Sequence, residues 1–116
     1  MLIGTTDAGN GDADELTTAS SGSGGITIRT GSSNNANLFF SDATSGNGQF
    51  AGYIQYKHDH DRLDFGTATS TRMTIDSTGN VIVGGTSLGA AGSFGMEPDG
   101  HVRSVLASGT TGDTLL

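Results

Sequence analysis

Along most of the chain from Gln49 to Val83, apolar and polar residues alternate with a period of two, and each short run ends at Gly, Asn, Asp or Ser. That period marks half-buried strands, because successive side chains of an extended chain leave opposite faces. Gln49 to Lys57 is the longest such stretch, with Tyr53, Gln55 and Lys57 directed one way and Ile54, Tyr56 and His58 the other. Leu63 and Phe65 share a face in Arg62-Leu63-Asp64-Phe65, as do Met73 and Ile75 within Thr71 to Asp76, and Asn80-Val81-Ile82-Val83 completes the set. Upstream, Ile26-Thr27-Ile28-Arg29 alternates and Asn37-Leu38-Phe39-Phe40-Ser41 is a short apolar run. Downstream, Ser93-Phe94-Gly95-Met96 and His101-Val102-Arg103-Ser104-Val105 read as strands around Pro98-Asp99-Gly100, a turn in which Pro presets φ and Gly accepts positive φ. Gly109 to Thr114 reads as loop.

The connectors Ser45 to Gly48, His58 to Asp61, Gly66 to Ser70 and Ser77 to Asn80 are short, and no helical period is sustained. Short strands joined by short turns predict an all-β fold, an antiparallel meander.

Composition adds a problem of stability. Leu, Ile, Val and Phe together make up 23 of 116 residues, a share at the border of the disordered class. A chain this short and polar has too little apolar surface to offset its conformational entropy alone, so the ordered pattern implies a core completed by other copies of itself. Twenty glycines and a single proline suit tight turns and close backbone approach. The net charge of −7, with the basic residues Arg29, Lys57, Arg62, Arg72 and Arg103 scattered, opposes binding to nucleic acid. Cysteine is absent, so there is neither a disulfide frame nor a thiolate metal site. No apolar run approaches the length of a membrane span and no signal-peptide pattern follows Met1, so membrane insertion is not expected.

Residues 53–85 read YIQYKHDHDRLDFGTATSTRMTIDSTGNVIVGG. This stretch resembles a module of bacteriophage tail fibres and tailspikes, particularly those of marine phages. There a strand ending Tyr-x-His runs through an acidic turn into Leu-x-Phe-x-Thr, then Arg-Met-x-Ile-x-x-x-Gly-Asn-Val-x-Ile-Gly. The matching residues are Tyr56, His58, Leu63, Phe65, Thr67, Arg72, Met73, Ile75, Gly79, Asn80 and Val81, and the match departs where Ile82-Val83-Gly84-Gly85 replaces Gly-Ile-Gly-Thr. It extends from about Asn37 to Ser87. The resemblance implies a homotrimeric fibre segment of the virion tail, assembled in the host cytoplasm, that extends a shaft or presents a surface to a host glycan or protein. Its partners would be its own copies and other tail proteins. Phe65, Arg72, Met73 and Ile75 would form intersubunit contacts, with Arg72 hydrogen-bonding a carbonyl or carboxylate.

The chain divides on this reading into residues 1–25, a Gly/Ser-rich end of a preceding repeat or a linker; 26–86, the strand module; and 87–116, the start of a following repeat. Leu2-Ile3-Gly4-Thr5-Thr6 is echoed by Ile82 to Ser87, as in a repeating shaft, and the closing Leu115-Leu116 suggests truncation.

His58-Asp59-His60-Asp61 is the cluster with metal-ligand chemistry. On an extended strand His58 and His60 would share a face, and around a threefold axis their imidazoles would suit a transition metal. The competing reading is a solvated hairpin turn, which the resemblance favours because its pattern places a His at the position of His58 but does not require one at that of His60. Asp59, Asp61 and Asp64, and separately Asp7, Asp12, Asp14 and Glu15, offer oxygen ligands for calcium but lack the spacing of a calcium loop. Tyr53 and Tyr56, on opposite faces of one strand, are the candidate binding surface, since an exposed ring stacks on sugars or fills an interface. No Gly-x-Ser-x-Gly elbow opens a helix, the Ser21 to Gly25 run lacks the Lys-Ser/Thr and helix of a phosphate loop, and no carboxylate pair stands out, so neither catalysis nor a cofactor is expected. Two rivals to the structural reading are a carbohydrate-active tailspike fragment with its glycosidase or lyase site between chains, and the stalk of a trimeric bacterial adhesin.

Overall fold

The computed structural model describes residues 2–3, 16–90, 92–105 and 111–113. Its main element is a single antiparallel sheet in which each strand pairs with the next along the chain. The strands are β3 (Asn35–Phe40), β4 (Gly52–Lys57), β5 (Arg62–Thr67), β6 (Ser70–Ile75), β7 (Val81–Val83), β8 (Phe94–Met96), β9 (Val102–Val105) and β10 (Thr111–Asp113). Apart from this meander, β1 (Leu2–Ile3) and β2 (Thr17–Thr18) form a short parallel pair. The all-β class and the antiparallel meander therefore hold.

Three expectations about elements are corrected. Strand β4 begins at Gly52 rather than Gln49, because Gly46–Phe50 winds into a 3-10 turn. That loop folds back on itself: Asp42 N–H donates to the Gly48 carbonyl at 3.0 Å, and Ser41 Oγ donates to the carbonyls of Ala43 and Gly48 at 2.8 and 3.1 Å. Ile26 to Arg29 belongs to no strand; among the described residues no backbone hydrogen bond ties it to a ladder, and Ile26 is 68% exposed. Conversely, Thr111–Asp113 inside the expected loop pairs with β9. Asp7 to Glu15 and Leu115-Leu116 lie outside the described residues.

The turns follow from residue chemistry. His58 to Asp61 forms the loop between β4 and β5, with Asp61 at φ 45°. Between β5 and β6 the whole connection is Ala68-Thr69, both at positive φ (49° and 62°), the geometry of a two-residue hairpin whose twist matches its strands. In the β6–β7 turn the Asp76 carboxylate is the hub. Its Oδ1 accepts from the N–H groups of Thr78 and Asn80 and from Thr78 Oγ1, its Oδ2 accepts from Asn80 Nδ2 at 2.7 Å, and Gly79 takes φ 91°. Those contacts account physically for the Asp-x-x-Gly-Asn run.

Directly opposed residues share a face, so the register sorts the side chains. One face carries Leu38, Ile54, Phe65, Met73, Val83 and Phe94 in one row, and Ala36, Tyr56, Leu63, Ile75, Val81, Met96 and Val102 in the next. The other carries Asn37, Gln55, Asp64, Thr74, Ile82, Gly95 and Arg103. A bulge between Phe65 and Gly66 shifts the β5–β6 register by one residue, so Phe65 faces Met73 while Gly66 faces Thr71. Burial follows the polar face: among the described residues Ile82, Asp64 and Thr74 are the fully covered side chains, and Ile82 is the sole buried hydrophobic. The radius of gyration, 18.1 Å, well exceeds the ~13 Å of a compact domain of this length. Among the described residues the apolar side of this single sheet layer remains part-exposed.

Candidate functional site

The two faces differ in what they can do. On the polar face Asp64 is fully buried, and cationic and hydroxyl groups close on its carboxylate. Thr74 Oγ1, on the opposed residue of β6, donates to Oδ1 at 2.8 Å; Lys57 Nζ approaches Oδ2 at 3.1 Å; Arg62 brings Nη2 to Oδ2 and Nε to Oδ1, each at 3.0 Å. Burial pushes the Asp64 carboxyl up, but the hydrogen bonds from Thr74, Lys57 and Arg62 outweigh it and hold the pKa below the ordinary carboxylate value. Farther along the row Gln55 Nε2 donates to Asn37 Oδ1 at 2.6 Å. The result is a hydrogen-bonded polar spine, with the long side chains of Lys57 and Arg62 turned onto the sheet to reach its centre.

Two glycines on this face make room for large neighbours. A Cβ at Gly66 would overlap the ring of Tyr53 on the opposed strand, whose hydroxyl lies 2.7 Å from Thr71 Oγ1. A Cβ at Gly95 would overlap Leu88, which the loop after β7 lays against the sheet.

The opposite face offers a surface. Over β3 to β9 neither of its two long rows contains a charged side chain. Leu38, Phe40, Val83, Phe94 and Met96 on this face are 44–57% exposed, and Phe65, Met73 and Ile75 are half-buried among them. Contiguous exposed apolar side chains of this extent mark an interaction site.

The residues singled out from sequence fall as follows. Phe65, Met73 and Ile75 come together on the apolar face. Arg72 does not join them: it sits at the bulge, exposed, and its Nε donates to the Thr67 carbonyl of its own chain at 3.3 Å. Tyr53 is half-buried over Gly66, whereas Tyr56 belongs to the apolar face and donates from its hydroxyl to Asp61 Oδ1 at 3.1 Å. That hydrogen bond to a carboxylate raises the Tyr56 pKa.

His58 and His60 do not share a strand face, because β4 ends at Lys57 and both lie in the turn. His58 packs edge-on to Tyr56 at 4.9 Å with a buried Nε2 that has no hydrogen-bond partner, while His60 is exposed and pairs through Nδ1 with Asp59 at 2.6 Å. Asp59, Asp61 and Asp64 do not converge either; they engage His60, Tyr56, and the Lys57, Arg62 and Thr74 cluster respectively.

Sequence reading missed Glu97, Asp99 and His101, whose ligand atoms lie within 4.8 Å of one another. Spacing of two residues across the Pro98 turn was the available signal. These groups are engaged locally: His101 Nδ1 meets Asp99 Oδ2 at 2.9 Å, and Arg103 Nη2 meets Glu97 Oε1 at 3.0 Å. It also missed Asp64 as the centre of a buried network, for which the signal was an acidic residue flanked by Arg62 and Lys57 on the face it shares with them.

Comparison with known protein families, with curated proteins and with solved structures yields no match to this chain.

Proposed function

We propose that the chain is a structural segment of a phage tail fibre or tailspike, working as a homotrimer that extends a shaft or presents a host-recognition surface. The observation that carries the self-assembly in this reading is the uncharged apolar face, set against one fully buried hydrophobic residue among those described. A sheet so constituted needs a cover present wherever the chain is folded, and its own copies meet that condition at fixed stoichiometry. An uncharged face also docks on its own kind without repulsion, while the Asp64 carboxylate lies on the opposite face of the sheet. The viral part of the reading rests on the pattern of residues 53–85, whose Gly79-Asn80 turn and Phe65, Met73 and Ile75 face have structural explanations in the Asp76 hub and the sheet register.

Sedimentation equilibrium at micromolar concentration tests the assembly. A trimer is expected, and Val83→Lys with Phe94→Lys, which places cations in the apolar face, is expected to abolish it. A monomeric wild-type chain overturns the reading. The tail role is tested by glycan-array and cell-binding assays: selective binding places the segment at a receptor-contacting surface, no binding leaves it in the shaft, and release of reducing ends from polysaccharide replaces the structural role with an enzymatic one.

A further inference from the structure

The sheet has an open edge at β3, and the chain carries an unpaired strand-like segment five residues before it. The bond from His58 N–H to the Asn34 carbonyl sets the ladder parity, so the N–H and C=O groups of Asn35, Asn37 and Phe39 point away from β4. Among the described residues only the Asn35 carbonyl of these groups receives anything, a marginal 3.5 Å donation from the Asn37 side chain. Natural edges are guarded by charge, proline or a bulge. Strand β3, Asn-Ala-Asn-Leu-Phe-Phe, has none of these and pairs with β4 in unbroken register.

Ile26-Thr27-Ile28-Arg29 has the β-branched alternation of a strand, yet no backbone hydrogen bond to another described residue, and Ile26 and Ile28 are 68% and 49% exposed. Its own β3 is close in sequence and the intervening chain turns at Gly31, where Asn34 N–H donates to the Gly31 carbonyl at 2.9 Å, yet among the described residues no backbone hydrogen bond joins the segment to that edge. We infer that residues 26–29 of one copy add as a strand to the β3 edge of a neighbouring copy, so that the subunits are joined by backbone hydrogen bonds as well as by their apolar faces. This inference rests on the proposed association of copies. A segment with alternating Ile and Thr and no charge before Arg29 meets an edge with no charge of its own, and each satisfies donors and acceptors the other leaves open.

Amide hydrogen exchange on the full chain tests it. In the wild-type assembly the amides of Asn35, Asn37 and Phe39 are expected to exchange at least ~100-fold more slowly than in Thr27→Pro/Ile28→Pro, which removes two of the segment's four backbone donors, one for each direction the N–H groups can face. Amides of β5 and β6 serve as the folding control and stay protected in both. Rapid exchange at the three edge amides of the wild-type oligomer overturns the inference, as does equal protection in the proline variant; in either case a persisting oligomer leaves the association of copies intact. A monomer by sedimentation overturns both.

The absence of cysteine permits a second readout. Ile28→Cys chains are co-assembled with chains carrying one cysteine at a position from Asn35 to Phe40, then oxidised. Covalent dimers are expected at alternate positions of β3, as a strand pairing requires. With both cysteines in one chain, diluted into excess unmodified protein, a link within that chain overturns the exchange between copies.

Discussion

The carboxylate of Asp64 is fully buried and accepts a 2.8 Å hydrogen bond from Thr74, the residue directly opposite on the next strand. With Lys57 and Arg62 closing on the same carboxylate, the pair ties three successive strands together on the polar face. Removing that charge leaves two cations gathered around a neutral side chain. Asp64→Asn is therefore expected to cost roughly 3 kcal/mol at neutral pH. An unchanged denaturation midpoint would show that the network contributes nothing.

The pH dependence has a definite sign. Asp64 and Asp76 both titrate below the ordinary carboxylate value in the folded chain: burial opposes this in each, but the hydrogen bonds from Thr74, Lys57 and Arg62 at Asp64, and from Asn80 and Thr78 at Asp76, prevail. Their stabilisation is fully present above the unfolded pKa near ~4 and is lost as pH falls through the lower folded values. Acid unfolding should begin only below about pH 4, and Asp64→Asn should flatten the acid limb. Equal acid dependence in wild type and variant, followed by circular dichroism, would refute the assignment.

Gly66→Ala places a methyl group in the space occupied by the ring of Tyr53. The ring must move and give up its contact with Thr71, at an expected cost of about 1–3 kcal/mol. Tyr53→Phe keeps the ring and loses the hydroxyl contact alone, so its cost should be about 1 kcal/mol. Thermal melts in which the two variants rank the other way would mean that the ring does not lie over the glycine.

Ala68-Thr69 adopts left-handed backbone at both positions of its turn, a conformation that a β-branched residue resists. Replacing the pair with Asn-Gly relieves that strain without altering the strands and should add about 1 kcal/mol of stability. A lower melting temperature for Ala68→Asn/Thr69→Gly would show that the side chains there have another role.

Phe65→Ala and Ile75→Ala remove apolar contacts from the face proposed to meet other copies, and each should destabilise the assembly by about 2–5 kcal/mol. His60→Ala should be nearly silent, since that side chain is exposed and its partner Asp59 is as well. Oligomer dissociation measured against denaturant distinguishes these outcomes, and a large effect at His60 reversed by a transition metal would restore the histidine pair as a metal site.

Local pattern determined much of this architecture. Alternation in Tyr53 to His58, Leu63 to Phe65 and Met73 to Ile75 was enough for strands and for the two sets of faces, and Gly79-Asn80 and Pro98-Asp99-Gly100 marked turns, because strand period and turn geometry are properties of a few neighbouring residues. Alternation does not say which face is covered. The tertiary structure decided that Asp64, Thr74 and Ile82 lie buried while Phe94 and Met96 stand exposed. Register brings the Lys57 and Arg62 side chains over one carboxylate, and a single layer leaves the apolar rows without a second sheet. Other features likewise depended on contacts distant in sequence. Thr111–Asp113 is a strand because β9 offers it an edge, Ile26 to Arg29 is not one because it pairs with no described strand, and the 3-10 turn at Gly46–Phe50 arises where Ser41 and Asp42 bind the Gly48 carbonyl. Backbone groups require partners, and composition does not reveal where those partners lie.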